Sequence, residues 1–142
     1  MDQEDEELSR YELDTSLEQY QENENQEFFA RVLEHFVRVL SDYNVTLDDL
    51  FKVSPKHRER KQTLTRAALA LSNSSELMAH LQKHRLLPIN ELELMTGIKR
   101  KALDKGRKYL IALALILSKP DFYPLKIFMQ IPEELEERVL QK

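Results

Sequence analysis

Nine consecutive residues, Tyr109–Leu117 (YLIALALIL), carry no charged side chain. A helix that is apolar all round has to be surrounded, by protein or by lipid. Crossing a bilayer takes about 18 or more such residues, so a run of about half that length reads as a core helix around which the remaining chain is packed. The partners of that helix are expected to be helices too. The whole chain of 142 residues contains two glycines, and sheet-rich domains need turn glycines at many positions. The expected fold class is therefore all-α, a compact multi-helix domain.

Apolar residues recur at helical spacing along most of the chain. Residues 1–7 are nearly all acids and amides and are expected to be disordered. Leu13, Leu17 and Tyr20 mark a short helix over roughly 8–21, and Asn23–Asn25 reads as a break. Asn25 then caps an amphipathic helix over about 26–43, with Phe29, Val32, Leu33, Phe36 and Leu40 on one face. Thr46 is placed to cap a one- or two-turn helix. Ser54 as N-cap and Pro55 as first helical residue predict the next helix, with Leu64, Ala67, Ala68 and Leu71 inward and Asn73 at its end. Ser75 begins another, bearing Leu77, Met78 and Leu81. Leu87, before Pro88, is expected to be extended. Ile89, Leu92 and Met95 mark a short helix ending near Thr96–Gly97, and a long helix follows from about Lys99 to Ser118. Pro120 and Pro124 break up the chain beyond it, and PEELEERVLQK forms a short tail helix within 131–142.

Charge is divided unevenly. Residues 1–26 hold ten acids and one base, a net of −9, whereas the remaining 20 basic and 15 acidic residues give +5. An acidic leader thus precedes a basic body. The amino terminus lacks the cationic start and apolar stretch of a secretion signal. There is no cysteine, which excludes disulfides and thiolate metal sites and fits a reducing cytoplasm.

The basic residues concentrate at two helix starts. One is Lys99, Arg100, Lys101, Lys105, Arg107 and Lys108, six bases against the single acid Asp104. The macrodipole disfavours cations at a helix N-terminus, so the run calls for an external anion unless it is an ordinary solvated face. The preceding short helix, the turn at Gly97 and the basic helix together have the pattern of a helix-turn-helix over about 88–118. Gly97 supplies the positive φ that ends the first helix, and Ile98 can tuck between the two. In such a unit the start of the second helix enters the major groove while its far end returns into the protein. Cations at one end and YLIALALIL at the other suit those two environments. On this helix Leu103, Gly106, Leu110, Leu113 and Leu117 form one stripe. A glycine there costs about 1 kcal/mol relative to alanine, so Gly106 is either merely tolerated or marks the close approach of a neighbouring helix.

Arg100, Asp104 and Arg107 are the candidates for reading base edges, since arginine bonds guanine bidentately and a carboxylate can accept from cytosine. Asp104 could equally pair with Lys108 one turn on. Lys99, Lys101, Lys105 and Lys108 are candidates for phosphates. The second basic start, Lys56, His57, Arg58 and Arg60 with Lys61 and Arg66 behind, offers further phosphate contacts or a solvated face. His80 and His84 lie one turn apart, but no third ligand is evident, and no metal or other cofactor is expected. No nucleophile–base set and no phosphate-cradling glycine loop is present, so the chain is not expected to be an enzyme. Three readings of the residues remain open: a monomeric DNA-binding domain, a self-sufficient dimeric repressor, and a protein-interaction module that does not bind DNA.

LFKVSPKH (Leu50–His57) and LPINELELMTGIKRKALDKGRKYLIALALIL (Leu87–Leu117) resemble the C-terminal half of sigma-I factors, alternative sigma subunits of bacterial RNA polymerase. The likeness covers about residues 27–128. It implies a cytoplasmic transcription initiation factor whose C-terminal domain contacts the promoter −35 element. Its N-terminal domain, outside this chain, contacts the −10 element and the polymerase core. Residues 1–25 would be an acidic interdomain linker, 26–130 the helical DNA-binding domain and 131–142 a tail. The partners implied are promoter DNA, RNA polymerase core and the cytoplasmic domain of a membrane-anchored anti-sigma factor, which in some cellulose-degrading bacteria senses polysaccharide outside the cell. The isolated domain is expected to be monomeric. Arg100, Lys101, Arg107, Lys108 and Tyr109 match the family's usual pattern. Lys99 stands where a capping serine is common, Ala102 where threonine is common, and Gly106 where histidine or asparagine is frequent. These departures fall on the presumed reading surface, so promoter preference does not transfer from relatives.

Overall fold

The apolar run forms the middle of helix α7, Arg107–Ser118, in which every residue from Tyr109 to Ile116 is buried. The computed structural model describes residues 22, 24–53 and 55–126. Ahead of α7 lie α1 (residues 24–41), α2 (Leu47–Val53), α3 (Arg58–Ser72), α4 (Ser75–His84), α5 (Ile89–Thr96) and α6 (Arg100–Lys105). A 3-10 helix, Pro120–Lys126, follows it. Among the described residues there is no strand.

Helix α3 makes the most extensive pairing with α7, and α2 and the 3-10 helix flank α7 as well. Ala67 and Ala68 on α3 are fully buried. Their small side chains let the α7 backbone come close, while Leu64 and Leu71 fill the space above and below. Phe122 of the 3-10 helix inserts beneath α1, with its ring 5.2 Å from that of Phe36, edge to face, and 5.1 Å from that of His35. Thr65, the one buried polar residue among those described, donates its hydroxyl to the Lys61 carbonyl at 2.7 Å. A buried hydroxyl satisfied within its own helix costs the core little.

Several expected boundaries are confirmed by local chemistry. Thr46 Oγ1 accepts from the Asp49 amide at 3.1 Å, and Asp49 Oδ2 accepts from the Thr46 amide at 3.1 Å, a reciprocal cap that starts α2. Ser74 caps α4 by accepting from the Leu77 amide, and Asn73 closes α3. Other expectations are corrected. Glu24 and Asn25 lie inside α1 rather than in a break. The same helix ends at residue 41, two residues early, because Asn44 takes the left-handed conformation (φ 59°) and its amide bonds back to the Ser41 carbonyl. Helix α3 starts at Arg58 with His57 as its N-cap, not at Pro55, because residues 55–57 are used to turn the chain after α2. The expected long helix from Lys99 is two helices. At Gly106 (φ −100°, ψ 16°) the backbone leaves helical geometry for one residue, while the amide still reaches the Ala102 carbonyl. The helices expected over 8–21 and 131–142, and Ser54, lie outside the described residues.

Candidate nucleic-acid interface

Helix α5 stops at Gly97, whose φ of 73° lets its amide bond to the Glu93 carbonyl at 2.9 Å. Thr96 secures the turn: its hydroxyl donates to the Leu92 carbonyl at 2.6 Å and accepts from the Ile98 amide at 3.2 Å. Ile98 is buried between α5 and α6 together with Leu92 and Leu103, as the spacing predicts. Three residues, Gly97–Lys99, therefore connect the two helices. Lys99 occupies the N-cap of α6 and offers no side-chain cap, the structural consequence of a lysine where a capping serine is common in the family it resembles.

Leu103 is the one buried residue of α6. Lys99, Arg100, Lys101, Asp104, Lys105 and, just past the break, Arg107 are exposed. Arg100 Nη1 donates to Asn90 Oδ1 of α5 at 3.1 Å, which steadies the guanidinium at the start of the helix. Lys108 differs from the others. It is half-buried and its ammonium sits 3.2 Å from Asp49 Oδ2 of α2. The expected alternative for Asp104, a pair with Lys108, does not form; Asp49 takes that lysine instead. The amide of Thr46, and next the Lys108 ammonium, hold the Asp49 carboxyl below the ordinary carboxylate range.

Gly106 is buried, and a Cβ built on it would fall 2.7 Å from both methyls of Leu64 on α3. Of the two readings of this glycine the close approach is the one observed. It seats the α6–α7 junction on α3 one turn inward from Arg60, and so brings the two basic segments together. Lys105 shares a pocket of about 340 Å³ with Lys56, His57 and Arg60 from the start of α3. Lys52, from the last turn of α2, lines it too. Arg58 is exposed but does not line it. Lys52 escaped the sequence reading because a lysine ending a helix is ordinary dipole complementation. Arg85 was also missed. It ends α4 in the left-handed conformation with its guanidinium 4.8 Å over the Tyr43 ring, and it shares a second pocket, of about 440 Å³, with Asp104, Arg107 and Lys108.

The rings of His80 and His84 are 4.6 Å apart, and no group of three potential metal ligands exists among the described residues. No described helix is long and apolar enough to cross a membrane.

The described residues thus form an all-helical domain in which a short cationic helix is exposed beside a buried rod. Comparison with known proteins gives the family. The chain is 34% identical over 123 residues to RNA polymerase sigma factor SigI of Bacillus anthracis, covering 86% of this chain and 51% of that protein. It is 30% identical over 122 residues to SigI of Bacillus subtilis, covering 86% and 48%, and 33% identical over 104 residues to SigI2 of Acetivibrio thermocellus, covering 73% and 39%. No protein-family model matches it. Over the length it shares with them, the chain belongs to the sigma-I class of RNA polymerase sigma factors. It spans about half the length of these curated relatives.

Proposed function

We propose that this chain is the promoter-binding part of an alternative sigma factor, and that it contacts the −35 element through a helix-turn-helix made of α5 and α6. The observation that carries the reading is the exposure of Lys99, Arg100, Lys101, Lys105 and Arg107 around α6 and its junction with α7, whose residues from Tyr109 to Ile116 are all buried. Cations at an N-terminus oppose the dipole, and a polyanion in the groove offsets that cost. Arg100 and Arg107 read base edges, with Asp104 accepting from cytosine or orienting Arg107. Lys99, Lys101 and Lys105 hold phosphates, as do Lys56, His57, Arg58 and Arg60. Lys108 contributes to the local field and ties α7 to α2. On this reading the protein works in the cytoplasm with RNA polymerase core, chiefly through a domain outside this chain. A membrane-anchored anti-sigma factor restrains it by binding the domain described here.

The test is titration with a duplex carrying the −35 element and with a scrambled duplex, each at two salt concentrations. Affinity for both should fall steeply as salt rises. Replacing Arg100 with alanine should weaken the promoter duplex more than the scrambled one, by roughly 1–3 kcal/mol of discrimination. Replacing Lys101 should weaken both alike. Equal losses from the Arg100 change would remove it as a reader. A salt-insensitive interaction would remove DNA from the reading altogether.

A further inference from the structure

The pocket between α2, α3 and α6 has an unusual lining. Lys52, Lys56, His57, Arg60 and Lys105 surround it with Val53 and Pro55, and among the described residues no carboxylate lines it. Like charges that converge on one concavity repel each other, and more strongly where part of the surrounding water is displaced. Lys108, brought against α2, is by contrast given an acid, Asp49. Here the sources are three separate elements, and the convergence depends on Gly106. Its missing side chain lets the end of α6 settle on Leu64, which lies one turn along α3 from Arg60. The cluster is a product of core packing and is held in place by it.

We infer that this pocket seats one backbone phosphate of the bound duplex, gripped at the same moment by Lys105 from α6 and by Lys52, Lys56 and Arg60 from the α2–α3 region. The inference rests on the DNA-binding reading and deepens it: the two basic segments meet on a single phosphate and form one contact. The chemistry suits a phosphodiester. Arg60 can offer a planar fork and the lysines offer point charges. Continuity with the exposed face of α6, through Lys105 and Lys101 one turn apart, favours a phosphate belonging to the strand that α6 already follows. Lys52 becomes a DNA contact, and Arg58 does not take part in this one.

The experiment uses the full chain with Arg60→Gln, Lys105→Gln and the double variant, each checked for an unchanged circular-dichroism spectrum, and a duplex bearing the −35 element. Each neutralised phosphate contributes about 0.9 to the slope of log affinity against log salt. One shared phosphate, with Lys52 and Lys56 still beside it, predicts that the double variant lowers the slope by at most about 0.9 in all, against about 1.8 for two separate phosphates. Affinity should fall equally on promoter and scrambled duplexes. A duplex with a neutral methylphosphonate at one position, scanned along both strands, should weaken the unmodified protein at one place where the double variant loses markedly less. A slope change near 1.8, or no change in affinity while the duplex still binds, overturns the pocket and leaves the DNA-binding reading standing. Loss of duplex binding by the unmodified protein at low salt overturns both. A parallel titration with inorganic phosphate separates the remaining source. If free phosphate binds in the pocket and the duplex ignores both substitutions, the site serves a free anion and the inference fails.

Discussion

Helices α6 and α7 are neighbours in sequence, separated by the single residue Gly106, and they live by opposite rules. Helix α6 has six residues of which one, Leu103, is buried. Helix α7 has twelve, of which eight in succession are buried. Isolated helices shorter than about 12–15 residues are marginal in water, and α6 also places cations against its own dipole. It stands because Leu103 and Ile98 fasten it to α5 and because α7 fixes its far end. Helix α7 draws its stability from burial and supplies it to its neighbour. The division teaches that the functional face is the dependent partner: its charges can change freely for stability, whereas the rod behind it cannot.

The strongest way to break that contrast is to cut one side chain from each helix. Leu113→Ala, at a site with no exposure, should cost about 2–5 kcal/mol in urea unfolding, the range for large-to-small core changes. Lys101→Ala, on the exposed face of α6, should stay within about 0.5 kcal/mol. Comparable losses at the two positions would mean that α6 carries stability of its own.

That contrast was largely legible in the sequence, because its signals are local. The uncharged run at Tyr109–Leu117 announced a buried helix, Gly97 announced a left-handed turn, and Thr46 announced a cap. What escaped depends on contacts between distant segments. The stripe Leu103, Gly106, Leu110 keeps helical spacing straight through the break, so periodicity could not show that one rod was two. The pairing of Lys108 with Asp49 removes from the cationic face a residue that sequence alone placed upon it. The meeting of Lys105 with Arg60 is set by how α3 lies on the α6–α7 junction, and no spacing along the chain encodes that.

The junction itself gives the next test. Gly106→Ala places a methyl 2.7 Å from the Leu64 methyls, and Leu64 is 1% exposed and cannot swing into solvent. Overpacking of this kind costs about 1–3 kcal/mol, partly offset by up to about 1 kcal/mol from alanine's better helix propensity. Shortening the partner, as Leu64→Val, should reduce the penalty of the glycine change, so the two substitutions should be non-additive in a double-mutant cycle. Gly97→Asn should behave otherwise. Nothing lies within 4 Å of a Cβ there, asparagine tolerates the left-handed conformation, and no background should rescue its small loss. Additive behaviour at Gly106 and Leu64 would dissolve the claim that close packing at the junction positions α6.

A smaller effect than that at the junction is expected at the first buried residue of α7. Tyr109 is 2% exposed, and its hydroxyl has no hydrogen-bond partner among the described residues. An unsatisfied buried hydroxyl costs free energy that its ring does not recover through that atom. Tyr109→Phe should therefore be neutral or stabilising, by up to about 1 kcal/mol near pH 7. Burial also pushes the folded phenol up to about 12 from an ordinary 10.0. Between those two values the unfolded chain releases a proton that the folded chain keeps, so stability falls as pH rises through that window. The phenylalanine variant lacks this term and should unfold less readily at alkaline pH relative to the parent. Urea midpoints at pH 7 and pH 11 measure both effects. A loss of more than about 1 kcal/mol at pH 7 would show that the hydroxyl is bonded and that the wall between the buried rod and the cationic helix is polar at its edge.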